Sequence, residues 1–170
     1  MVDAVLDFVS KHRSWVFLVA FALALAETLP VVSIFVPSTA ILVGIGALVA
    51  TGALDFAPLF AGAAAGAVVG SMLSWGIGRR YGADLLRFGF MRRRRDRVRR
   101  ARRAFRRWGA GAVAIGHLFG PLRAVAFALA GMTAMPLARF VPMTALGAAA
   151  WAYATPKAGE LGGRALDALF

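Results

Sequence analysis

No cysteine occurs in the 170 residues, which excludes disulfide staples, thiolate metal sites and thiol nucleophiles without identifying a compartment. Acids are scarce too, with eight Asp and Glu in the whole chain. The two histidines, His12 and His117, lack companions at metal-ligand spacing, and no acid pair, nucleophile elbow or phosphate-cradling Gly-Lys loop occurs. An enzyme is therefore not expected, nor a cofactor or a metal. Polar surface is the third shortage. With 60% hydrophobic residues, 16% charged residues and a mean hydropathy of +0.71, the chain cannot clothe a soluble domain of its length. The composition points to an all-α integral membrane protein, one domain over 1–170.

What charge there is sits in one place. Of the 20 cations, 14 are arginines within residues 79–107, where Asp84 and Asp96 are the only acids. The other six cations (Lys11, Arg13, Arg123, Arg139, Lys157, Arg164) balance the other six acids, so the net charge of +12 belongs to that segment alone. At the N-terminus, Asp3 and Asp7 precede Lys11 and Arg13. A cleavable signal peptide has the opposite order, so the first hydrophobic segment is expected to be retained.

A bilayer-crossing helix needs about 20 apolar residues. Residues 56–78 and 140–156 carry no charge and read as transmembrane helices. Two further stretches fit a single crossing poorly. Residues 14–54 run 41 positions broken only by Glu27, Pro30 and Pro37, and residues 108–138 run 31 positions broken at Gly120-Pro121 and Arg123. Arg106, Arg107 and Arg139 flank the latter at both ends, so the positive-inside rule puts both ends on the cytoplasmic side. That describes a re-entrant hairpin over 109–138. Carried backwards, the same rule makes 14–26 a membrane helix leaving a cytoplasmic Lys11-Arg13 flank, and 28–50 a hairpin dipping from outside, bent near Ser33 to Pro37.

An internal repeat matches this layout. Pro37 precedes Gly46 by nine residues and Pro121 precedes Gly131 by ten; Phe56 and Phe140 follow ten and nine residues later. Two units of hairpin plus transmembrane helix, in opposite orientation, form an inverted repeat. Such repeats in transporters place the substrate site near the midplane.

Between the units, residues 88–108 place Met91, Val98, Ala101, Phe105 and Trp108 along one face of a helix otherwise filled with arginine. A basic amphipathic helix lying on anionic headgroups has this pattern, with Arg92, Arg93, Arg94, Arg95, Arg99, Arg102 and Arg106 as the interfacial cations. Arginine runs also attract nucleic acid, but a run wedged between membrane segments faces lipid, so no nucleic-acid partner is expected. Gly62, Gly66 and Gly70, four residues apart, mean close helix packing first and a homo-oligomer face second.

Glu27 and Arg123 stand inside hydrophobic segments, where an unpaired charge costs at least about 2.5–3.5 kcal/mol. Each needs a partner or a charged substrate. Arg123 reads as a clamp on a phosphate oxygen, or as an ion pair with Glu27 if the hairpin tips meet. Glu27 carries a proton or a helix-end charge. His117 titrates in the physiological range or bonds a carbonyl. Trp75, Trp108, Trp151 and Tyr153 read as packing or interface anchors.

Three stretches together resemble the DedA family, also called the SNARE-associated or VTT-domain family. GAVVGSMLSWGIGRRYG (66–82) resembles its glycine-spaced span, and GHLFGPLRAVAFALAGMTAM (116–135) its arginine-and-proline hairpin. ETLPVVSIFVPSTAIL (27–42), with Ser38 and Thr39, resembles its first hairpin. The resemblance implies two opposed re-entrant hairpins and proton-gradient-dependent movement of a phosphate-bearing lipid such as undecaprenyl phosphate. Membrane lipids are the implied partners, and the bacterial plasma membrane the implied location. It makes Glu27 the first acid and Arg123 the second hairpin arginine, with Ser38, Thr39, His117, Gly120 and Pro121 around them. The chain departs from that pattern at Thr39 (an acid in the family), His117 (an arginine) and Ser71 (often an aspartate). A protonated His117 standing in for the arginine would make anion binding pH-dependent. The sequence thus reads as a lipid flippase, with a gradient-independent scramblase and a non-transporting scaffold built on the arginine helix as alternatives.

Overall fold

The computed structural model describes residues 2–29, 38–85, 103, 107–109, 111–118 and 122–167. Among these the chain is helical apart from short turns, with no strand. Helix α1 (Val2–Lys11) is followed by a 3-10 turn over Arg13–Trp15, and α2 spans Val16–Thr28. The helices on either side of His12 meet at a bend of 115°. Then come α3 (Ser38–Ala50), α4 (Phe56–Leu85), α5 (Gly111–Gly116), α6 (Leu122–Met132) and α7 (Leu137–Asp167). One helix among the described residues is long and apolar enough to cross a membrane, Phe56–Gly82 of α4. Helix α7 is longer than the expected 140–156 span and carries Arg139, Lys157, Glu160 and Arg164 within its 31 residues. The expected basic helix over 88–108, including Arg92, Arg93, Arg94, Arg95, Arg99, Arg102 and Arg106, lies outside the described residues apart from 103, 107 and 108.

Glycines set the packing. Phe17, Phe21 and Leu25 lay their backbones against Gly62, Gly66 and Gly70, in the same order along both helices, so α2 and α4 run parallel. A side chain at any of the three α4 positions would collide with main chain. Helices α4 and α7 run antiparallel: the Phe56 and Tyr153 rings lie 5.6 Å apart and the Trp75 and Phe140 rings 6.1 Å apart. On the other side of each long helix, a pair of reciprocal glycine contacts recurs. Gly46 of α3 meets the Pro156 carbonyl of α7, and Gly159 of α7 meets the Val43 carbonyl of α3. Gly131 of α6 meets the Trp75 carbonyl of α4, and Gly78 of α4 meets the Ala128 carbonyl of α6.

The ends of α3 and α6 match in the same way. At α3, the Ala53 amide donates to Leu48 and the Gly52 amide to Val49, with Gly52 at φ 72°. At α6, the Met135 amide donates to Ala130 and the Ala134 amide to Gly131, with Ala134 at φ 57°. Both are Schellman motifs, in which the left-handed residue lets the chain turn back over the last helical carbonyls. The second places alanine where glycine is the unstrained choice.

These contacts correct the path expected for residues 14–50. Because α2 runs parallel to α4, the Lys11-Arg13 flank lies at the same end of the molecule as Asp55, not the opposite end. Ser38 and Thr39 begin α3 beside Glu27, near the end of α2. Gly46 docks on Pro156, whose neighbour Lys157 lies 5.0 Å from the centre of the Phe56 ring. The chain therefore descends along α2 and returns along α3 to the start of α4. The segment 14–26 thus packs as one arm of a helical pair, and 38–50 is a single helix forming the other arm. The flanking cations are a weak guide to direction here because only two of them stand there, and Lys11 is paired with Asp7 at 2.9 Å.

Candidate functional site

In the sequence Pro30 follows α2 by two residues and Pro37 immediately precedes α3, and proline has no amide to continue a helix. The helix ends they border are brought together by Glu27. Its Oε2 accepts a short hydrogen bond from Ser38 Oγ, and its Oε1 accepts from Thr39 Oγ1 at 2.6 Å. Both carboxylate oxygens are thus engaged by the first turn of α3.

Arg123, in the first turn of α6, reaches the same carboxylate. Its Nη2 lies 2.7 Å from Glu27 Oε2, and its side chain is wholly buried. The end of α2 and the start of α6 thus meet through these two side chains, and their charges oppose one another. Each charge offsets part of the penalty that the other alone would carry in an apolar interior. The contact is an ion pair at close range rather than an aligned hydrogen bond, and Nε and Nη1 have no hydrogen-bond partner among the described residues. Trp151, from the middle of α7, covers the guanidinium, with Arg123 Cζ 4.1 Å from the ring centroid. One cation thus gathers groups from both hairpins and from a long helix.

A second buried cluster surrounds His117. Its Nδ1 donates to the Val113 carbonyl at 3.1 Å, and its Nε2 faces the hydroxyls of Ser71 and Thr144, each at 3.4 Å. Its ring centroid lies 4.6 Å from that of Phe127. With the proton on Nδ1, Nε2 can accept from a hydroxyl, and a neutral imidazole satisfies the site. Gly147 makes this possible, since a Cβ there would press on His117 Nδ1 at 2.6 Å. Close by, Ser74 Oγ of α4 donates a short hydrogen bond to the Thr28 carbonyl at the end of α2.

Of the residues expected to form the site, Glu27, Arg123, Ser38 and Thr39 come together. His117 is buried but joined to Ser71 and Thr144, with no hydrogen bond or ion pair to Glu27 or Arg123. Gly120 and Pro121 lie outside the described residues. Trp151 was expected as a packing or interface anchor, and its contact with Arg123 is the main addition. A signal was available: it stands near the centre of the uncharged stretch 140–156, away from the interfaces where tryptophan usually anchors. No group of three or more metal-ligating side chains occurs among the described residues.

The sequence that folds in this way has counterparts among known proteins. The VTT domain matches residues 36–161, most of the chain. The chain belongs to the VTT-domain family, also known as DedA, a family of membrane proteins. It is similar to the inner membrane protein YabI of Escherichia coli, at 26% identity over 162 residues, covering 94% of this chain and 63% of YabI. It is similar also to an uncharacterized membrane protein of Mycobacterium tuberculosis, at 36% identity over 148 residues, covering 82% of this chain and 66% of that protein. The chain thus spans a little under two thirds of the length of these relatives. No solved structure gives a significant match.

Proposed function

We propose that this VTT-domain protein moves a phosphate-bearing lipid, such as undecaprenyl phosphate or a phospholipid, across the bacterial cytoplasmic membrane. The observation that carries this reading is the buried Arg123–Glu27 pair at the meeting point of the two hairpins. In this reading α2–α3 and α5–α6 are re-entrant hairpins entering from opposite faces, and α4 and α7 are the spanning helices of a multi-pass protein. The reciprocal glycine contacts and the matched helix ends support two equivalent units. The arginine-rich segment lies on the cytoplasmic leaflet.

The chemistry is an exchange of partners. A lipid phosphate brings oxyanions to Arg123, whose planar fork suits them, and displaces the Glu27 carboxylate. Glu27 stays held by Ser38 and Thr39 and takes up a proton while its cation is occupied, which would link lipid movement to the proton gradient. The lipid tail remains in the bilayer, so only the headgroup needs a polar path. A gradient-independent scramblase is the second reading, favoured by Thr39: where the family carries another acid, this chain has a hydroxyl that donates to Glu27.

Mass spectrometry of copurified lipids tests the site. Wild type is expected to retain a phosphate lipid that Arg123→Ala loses; equal retention by the two contradicts the assignment. Dithionite quenching of labelled lipid in liposomes without a gradient separates the two transport modes, since quenching of the inner leaflet there means scrambling.

A further inference from the structure

We infer that Trp151 is a positioning residue for Arg123, fixing the plane of the guanidinium from a long helix so that an anionic headgroup can engage it only along its edges. This rests on the reading of Arg123 as the phosphate-binding group.

A guanidinium has two faces without donors and a rim carrying five N–H groups. Arg123 Cζ lies 4.1 Å from the centroid of the Trp151 ring, a separation that suits an indole laid on one of those faces, and both residues are buried, at 5% exposure for Trp151 and 0% for Arg123. Glu27 takes the rim at Nη2. Nε and Nη1 are buried on the same rim without a hydrogen-bond partner among the described residues. A phosphate therefore competes with the carboxylate for the rim but not with the indole for the face. Glu27 sits on α2 and Trp151 on α7, so the two restraints come from different parts of the fold. When the carboxylate gives way to the phosphate, the indole remains and the fork stays oriented. A fixed fork prefers an acceptor with two oxygens in its plane, such as a phosphate monoester, over a single hydroxyl. Indole is also the strongest aromatic partner for a desolvated cation, ahead of phenol and phenyl.

The test uses the full chain in detergent, titrated calorimetrically with farnesyl phosphate, and with farnesol as the uncharged control. Trp151→Leu is expected to weaken farnesyl phosphate binding about tenfold, with Trp151→Tyr and Trp151→Phe falling between it and wild type. In an Arg123→Ala background Trp151→Leu should cause no further loss. Wild-type affinity in Trp151→Leu, equal loss in Phe and Leu variants, or an undiminished loss in the Arg123→Ala background would each overturn the inference. If Trp151→Leu does not fold, the order Trp, Tyr, Phe decides alone, and equal affinities for the three overturn it. Should wild type bind the phosphate no better than farnesol, the lipid reading fails. The stack is then judged by melting temperature: losses from Arg123→Ala and Trp151→Phe that fall short of additive in the double variant support it, and additive losses refute it.

Discussion

Arg123 and Glu27 are buried partners, and what each would cost alone shapes the behaviour of every variant at the site. Removing one partner of a buried ion pair leaves an uncompensated charge and costs about 3–5 kcal/mol, whereas removing both costs far less. Arg123→Met should therefore lower the thermal stability of the purified protein sharply, and adding Glu27→Gln to it should restore part of the loss. Additive losses would mean that the two charges do not pair. At this scale the sequence was informative about identity and about one contact. A lone acid and a lone arginine in apolar segments announce themselves by their cost, and their pairing followed once the hairpin tips were taken to meet. The Trp151 stack and the Ser71–His117–Thr144 cluster were not legible in this way. Both join residues whose spacing in the chain reflects only the three-dimensional packing of α4, α5, α6 and α7.

Among the elements, the glycines carry the argument. Gly46 and Gly131 occupy equivalent places, each pressed on a carbonyl of a long helix with a second glycine, Gly159 or Gly78, returning the contact. An added methyl at either place meets main chain rather than a flexible side chain, and overpacking of this kind costs about 1–3 kcal/mol. Gly46→Ala and Gly131→Ala are thus expected to lower the melting temperature by similar amounts. Gly76→Ala, at a position with open space around it, should leave it unchanged. A loss in only one of the first two would speak against equivalent units. The spacing of prolines, glycines and phenylalanines had already suggested the repeat. The division of residues 14–54 did not follow from it, because 41 uncharged or nearly uncharged positions can be parsed as a crossing plus a short hairpin or as one wide hairpin. Glu27 binds Ser38 and Thr39 and so joins the end of α2 to the start of α3, a contact that no local pattern encodes.

For the whole molecule, the account turns on where the helices enter and leave. In the reading proposed here, the loop before α2 and the loop after α3 share the outer face with the start of α4. The segment before α5 and the start of α7 share the cytoplasmic face. The absence of cysteine makes the chain a clean background for testing this, since each introduced thiol is the sole reactive one. Single cysteines at Ser14, Thr51, Arg107 and Arg139, all exposed, can be labelled in intact cells with a membrane-impermeant maleimide. The account predicts labelling at Ser14→Cys and Thr51→Cys from outside, and at Arg107→Cys and Arg139→Cys only after the membrane is opened. Labelling of Ser14→Cys and Thr51→Cys from opposite faces, or of Arg107→Cys and Arg139→Cys from opposite faces, would contradict it.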